Sequence, residues 1–286
     1  MPIEPATFGA RALLGTLALV VPGCFGTSVA HEEDAIIVRA TTTTTTTTTT
    51  VTKATIDHSA FDALLKRHVD EHGLVDYAAW KRADTLPLER YLVAMTAVRP
   101  TELSNDERLA YWINVYNALT LHGMLHFYPT ASIRAHVAHV FGFKFWDDLR
   151  IEIEGQQRSL NGIEHEILRM MGEPRIHFAI VCASLSCPRL LAEAYTGARV
   201  STQLEENTRA FFANPTNFSI DVTSKTVHLS SLLKWYSEDF GRTEREKLEF
   251  VARFLSTEQA RTFLRRDDLA VDYLGYDWQI NDRPKR

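Results

Sequence analysis

Past residue 55 the apolar positions keep a helical period first and a strand period later. Phe61, Leu64, Leu65, His68 and Val69 fall on one face of a helix that Asp57 can cap and Gly73 can stop. Leu88, Tyr91, Leu92, Met95 and Val98 give a second amphipathic helix after Pro87, ended by Pro100. A third opens on the capping box Ser104-Asn105-Asp106-Glu107, and from Leu109 to Phe127 its apolar residues run nearly all the way round. That pattern predicts a centrally buried helix. Its polar residues must then find partners or cost stability, which singles out Asn114 and Asn117 on one face and His122 and His126 on another. The i, i+4 pair His122 and His126 has a spacing that suits two imidazoles on one metal. No Glu stands beside His122, so the metalloprotease signature is absent. The preferred reading is a hydrogen-bonded core His122, with no metal and no cofactor.

Alternation takes over at Leu149 to Glu154, a strand that Gly155-Gln156 turns into a hairpin with Gln157 to Leu160. Asn161-Gly162-Ile163-Glu164 then caps a short helix carrying Glu164, His165 and Glu166 in its first turns, where an acid can orient His165 or raise its pKa. Ile176 to Cys182 is an apolar run of strand length and reads as a central strand around 175–182. The small-residue loop Ala183 to Cys187 follows, and Pro188 suits the first position of a helix over Arg189 to Tyr195. Strand, tight loop and helix start form a platform for a nucleophile, with amides that depress a thiol pKa and hold an oxyanion. Beyond it, Ser201 to Phe212 predicts a helix, Asn217 to Val222 and Thr226 to Ser230 two strands, and Leu232 to Tyr236 and Arg245 to Leu255 two more helices. Leu269 to Ile280 is extended, aromatic and returns over the core. The fold class expected is α+β: a single domain over 55–286 whose helical N-terminal part packs on a small mixed or antiparallel sheet.

The first 54 residues have a different character. Arg11 precedes the apolar run Ala12 to Val21, Pro22 breaks it, and Ser28-Val29-Ala30 supplies small residues for cleavage, so residues 1–30 read as a signal peptide. The run is about half the roughly 20 residues a membrane span needs. A lipoprotein signal with an anchor at Cys24 is the runner-up, weakened by Pro22. Residues 31–54, with ten consecutive threonines at Thr41 to Thr50, read as a disordered linker. Periplasmic or secreted localisation follows. Cleavage would leave two of the three cysteines, Cys182 and Cys187, which in an oxidising compartment can pair as a disulfide. The chain's 31 basic against 36 acidic residues lack the surplus that a nucleic-acid partner requires.

Five blocks carry a resemblance: AYWINVYNALTLH at 110–122, SLNGIEHEILR at 159–169, RIHFAIVCASLSCP at 175–188, LLKWYSEDFG at 232–241 and YDWQIN at 276–281. Together they resemble the domain of unknown function 547 family, here as an exported, bacterial-type member. The resemblance implies no reaction. It implies that Asn114, Asn117, His122, Glu164, His165, His177 and Cys182 are the residues to follow. Where the family block reads Cys-Gly-Ala, this chain has Ala183 after Cys182, which makes a left-handed turn there less easy.

Three functions compete. The first is a cysteine-dependent hydrolase or acyl transferase with Cys182 as nucleophile, a histidine as base, and Glu164 or an asparagine orienting it. In a regular strand His177 and Cys182 would face opposite ways, which favours His165 as the base; His177 serves if Cys182 lies past the strand end, and His122 is a third candidate. The second is a non-catalytic envelope binding or scaffold module pinned by a Cys182–Cys187 disulfide. The third, a metal-dependent enzyme, has no closed ligand set behind it. The partner expected is a small molecule or peptide, with no transmembrane span.

Overall fold

The computed structural model describes residues 35–39, 56–136 and 144–284. The signal peptide expected over 1–30, the alternative anchor at Cys24 and the threonine tract lie outside the described residues. A strand β1 (Ile36–Val38) precedes the helices α1 (Ser59–His68), α2 (Tyr77–Ala83), α3 (Thr85–Thr96) and α4 (Asn105–Phe127). A short α5 (Phe145–Asp148) leads into the hairpin β2 (Leu149–Ile153) and β3 (Gln156–Ser159), then α6 (Leu160–Gly162). After α7 (Val200–Ala213) come β4 (Phe218–Asp221), β5 (Thr226–Ser230), α8 (Leu232–Trp235), α9 (Ser237–Phe240), α10 (Glu244–Ala252), α11 (Glu258–Leu264) and β6 (Ala270–Leu274). This is a single α+β domain with two mixed three-stranded sheets in the orders β1-β2-β3 and β4-β5-β6.

Ile36–Val38 corrects the linker reading of residues 31–54. Its three apolar residues pair in parallel with Leu149–Ile151 and cover the open edge of β2. Helix α4 is buried along nearly its whole length, as its all-round apolar pattern requires, and the larger core is built around it. A second, phenylalanine-rich core gathers Phe178, Phe211, Phe212, Phe240 and Phe250 beneath the second sheet.

The central strand expected around 175–182 is absent. Pro174–Phe178 is a 3-10 helix, capped by the Glu173 side chain accepting from Arg175 N at 3.0 Å, and residues 179–183 run on without a sheet. An apolar run of strand length must bury its backbone polar groups somewhere, and here side-chain amides replace a neighbouring strand. Asn117 Nδ2 donates to Ala179 O at 3.0 Å and its Oδ1 accepts from Val181 N at 3.0 Å. Asn207 of α7 donates to Phe178 O. Asn114 does the same for Tyr195, donating to its carbonyl at 2.7 Å and accepting from its amide at 2.9 Å. The helix expected over Arg189 to Tyr195 is absent as well, and those residues form irregular chain clamped by Asn114 and Asn207.

His58, just before α1, is buried, with Nδ1 at 2.8 Å from the Tyr91 hydroxyl, and burial lowers its pKa to about 4 against a small opposing pull from Asp57. The unfolded chain therefore takes up a proton at this residue near pH 6.5 while the folded chain does not. Stability present above that pH is lost as it falls toward 4, and between pH 7 and 5 the loss should be about 2 kcal/mol. Denaturant melts of the wild type and of His58→Gln should diverge over this interval. A parallel pH dependence would refute the assignment.

Candidate functional site

Cys182 ends the irregular segment in the interior. The residue is 4% exposed, and its sulfur lies 3.0 Å from Ser184 Oγ and 3.2 Å from Tyr276 OH. Cys187 returns beside it because Cys187 N donates to Ser184 O at 3.1 Å, and Cys182 N donates to the Cys187 sulfur at 2.8 Å. Both cysteines are free thiols in the structure. Burial alone would push the Cys182 thiol up. Donation from Cys187, from the Ser184 and Tyr276 hydroxyls and from the Ser184 amide outweighs it and brings the pKa below that of an ordinary cysteine. Cys187 is driven the other way, well up, by burial and by the neighbouring Cys182. A negative charge on this pair thus belongs to Cys182.

The turn that makes this possible falls on Ala183, whose φ of 57° lies in the left-handed region. The left-handed elbow after Cys182 forms even without the glycine. Alanine there bears roughly 1–2 kcal/mol of strain. Ala183→Gly relieves it but gives up a buried methyl worth about 0.8 kcal/mol and adds unfolded-chain freedom worth about 0.5–1 kcal/mol. The two sides nearly cancel, so Ala183→Gly should melt within about 0.5 kcal/mol of wild type, whereas Ala118→Gly in mid-α4 should lose about 2 kcal/mol. Equal losses at the two positions would show that residue 183 is unstrained.

His177, on the 3-10 helix, is almost wholly enclosed, with Nε2 2.6 Å from Asp239 Oδ2 and its ring stacked on Tyr236 at a centroid distance of 3.9 Å. Asp239 is also gripped by Arg169 through Nε at 2.6 Å and NH2 at 3.0 Å. Burial opposes its ionisation, but His177 and Arg169 together hold its carboxyl at about 2. Asp239 sits in α9, within the WYSEDFG stretch, where a part-buried carboxylate on a four-residue helix carries no pattern of its own.

Glu164 enters from a wide π-helical turn, Ile163–Leu168, that follows α6. The cap of this segment is Ser159, accepting from Gly162 N at 3.1 Å, and not Asn161. Such a turn inserts a residue into the helical ladder and re-aims its side chains. Glu164 points inward at 2% exposure; its Oε2 accepts from Tyr116 OH at 3.2 Å, while Oε1 has no hydrogen-bond partner. Glu164, His177, Cys182 and Cys187 line one small, half-open pocket of about 20 Å³, with Tyr116, Tyr236 and Tyr276 around them.

With that constellation in view, residues 100–212 match the family model described as "Protein of unknown function, DUF547". The chain carries a DUF547 domain. No curated protein and no solved structure matches the chain. The DUF547 segment supplies Tyr116, Glu164, His177, Cys182 and Cys187, whereas Asp239 and Tyr276 come from beyond it. The site is therefore completed by residues outside the matched segment.

The other expected residues are distributed around this centre. His165 does not line the cavity; its Nδ1 faces Arg169 NH1 at 3.2 Å, and burial lowers its pKa. His122 lies elsewhere on α4, with Nε2 3.4 Å from Glu89 Oε1. Asn114 and Asn117 hold backbone, as described above. The loop amides expected to cradle an oxyanion are largely committed: Leu185 N donates to Gln279 O and Ser186 N to Asp277 O. Cys187 also lines a second, open cleft of about 520 Å³ with Leu185, Arg189, His72 and Asn214. Within the DUF547 domain, Cys187 thus lines both the small pocket and the larger cleft.

Proposed function

We propose that the chain is an exported cysteine-dependent enzyme, a hydrolase or acyl transferase acting on a small-molecule or peptide ligand. What carries the reading is the Cys182 sulfur, which receives three side-chain donors inside a cavity that it shares with His177. Asp239 takes Nε2 of that imidazole, which leaves Nδ1 to exchange a proton with the substrate. In this reading the Cys182 thiolate attacks an acyl carbon, and His177 delivers the proton to the departing group and then activates the water or acceptor that releases the acyl chain. Because the loop amides are spent, the Tyr276 hydroxyl is the donor for the developing oxyanion. Substrate approaches along the open cleft at Cys187.

The sulfur's low exposure favours a second reading, a non-catalytic envelope module in which the thiol network is only structural. An activated ester separates the two. With p-nitrophenyl acetate the enzyme reading expects a burst of nitrophenol and a mass gain of about 42 Da on Cys182. Both should be lost in Cys182→Ser, and turnover should fall about 10²–10⁴-fold in His177→Gln. Acetylation no faster than that of the same peptide in the unfolded chain would leave the module reading.

A further inference from the structure

We propose that Cys182 and Cys187 form a peroxide-reactive dithiol, in which a small hydroperoxide oxidises Cys182, Cys187 resolves the product as a disulfide, and an external thiol reduces that disulfide from the open cleft. The inference shares with the proposed function only the reactive state of Cys182. Space is the first argument. A pocket of about 20 Å³ exceeds what one water needs and suits an oxidant of two or three heavy atoms. Chemistry is the second. The Ser184 and Tyr276 hydroxyls stand within 3.0 and 3.2 Å of the sulfur, where they can donate to the oxygens of a peroxide in line with it.

Each step balances. The Cys182 thiolate attacks one peroxide oxygen, the O–O bond breaks, and the departing oxygen takes a proton to leave as an alcohol or water, with Cys182 oxidised by two electrons to a sulfenic acid. The Cys187 sulfur, already against the Cys182 amide, attacks the sulfenic sulfur; an S–S bond forms, the S–O bond breaks, and the hydroxyl leaves as water with the Cys187 proton. The two sulfurs then differ in access and in leaving ability. Cys187 borders the cleft of about 520 Å³, so an incoming thiolate meets it first. Attack there expels Cys182, the sulfur whose negative charge the site stabilises, and the better leaving group departs faster. A second external thiol attacks the mixed disulfide at its external sulfur and releases Cys187 as a thiol, so that two electrons pass to the protein and the external thiols leave oxidised as their disulfide.

The test uses the full chain, reduced, desalted and exposed to one equivalent of hydrogen peroxide, with tryptic mapping of Ile176 to Arg189, which contains both cysteines and excludes Cys24. Expected is a loss of about 2 Da in this peptide, at least ~10-fold faster in the folded chain than in urea, and reversal by dithiothreitol. Cys187→Ser should instead accumulate a sulfenic acid trapped by dimedone at Cys182. Cys182→Ser, or Cys182→Ala if the serine variant has no cooperative melt, should show neither. Oxidation no faster than in urea, or a sulfinic acid formed without the 2 Da loss, would overturn the proposal. Fast alkylation of Cys182 with no response to peroxide removes this inference alone; inertness toward both removes it together with the enzyme reading.

Discussion

Asn117→Leu is expected to destabilise the protein by about 4 kcal/mol, although it replaces one buried side chain with another of the same branching and heavy-atom count. The carboxamide pairs with the segment that carries Cys182 as a neighbouring strand would, serving Ala179 O and Val181 N at 3.0 Å each. Leucine strands both groups in the interior of the larger core. Each orphaned backbone group costs about 1–3 kcal/mol, and nothing in the substitution returns that energy. For a chain of this size 1 kcal/mol moves the midpoint roughly 2–4 °C, so a fall of about 10 °C is expected by calorimetry. Fast alkylation of Cys182 should disappear with it, since the same clamp fixes the thiol among its donors. A loss below about 1 kcal/mol would mean that the two backbone groups have other partners.

Asp239→Asn should cost a further 3–5 kcal/mol when made alone in the wild-type chain, the loss characteristic of removing one member of a largely buried ion network. The carboxylate faces Arg169 and His177 at once, and the amide leaves the guanidinium uncompensated and the imidazole without its charged acceptor. The acid limb gives an independent signature. The Asp239 carboxyl is held at about 2, below the ordinary 3.8, so its stabilisation is complete above about pH 4 and disappears as the pH falls toward 2. That portion amounts to about 2 kcal/mol, and Asp239→Asn should lack it while keeping the separate decline that His58 produces at higher pH. Identical acid limbs for the two proteins would exclude the network as an electrostatic element.

These two residues also mark where sequence stops being informative. Periodicity located α1, α3 and α4, the β2–β3 hairpin, α7 and the β4–β5 pair, because in each the buried face repeats at the element's own period. It failed at Ile176 to Cys182, where the run is apolar on every side. Such a run says only that the segment is buried, and what decides its conformation is an asparagine, Asn117, some sixty residues earlier in the chain. Asn117 was recognisable as a buried polar group in need of partners, but the partners were not. His177 and Cys182 come to border one cavity because the chain between them is irregular, so alternation no longer sends them to opposite faces. Asp239, Ser184 and Tyr276 carried no period at all and became legible only through contact.

The return of Tyr276 to Asn281 across the cysteine loop has a consequence for biosynthesis. Leu185, Ser186 and the Ala183 carbonyl take their backbone partners from Gln279, Asp277 and Asn281, and the Asn281 side chain reaches on to Tyr77 and the Gly73 carbonyl. A chain made only as far as residue 274 has both cores and both cysteines, yet the cysteine loop lacks these backbone partners and the sulfur lacks the Tyr276 hydroxyl. The surroundings of Cys182 are thus complete only once Tyr276 to Asn281 have docked, and a chain cut before Tyr276 keeps Ser184 and Cys187 beside the sulfur without the tyrosine.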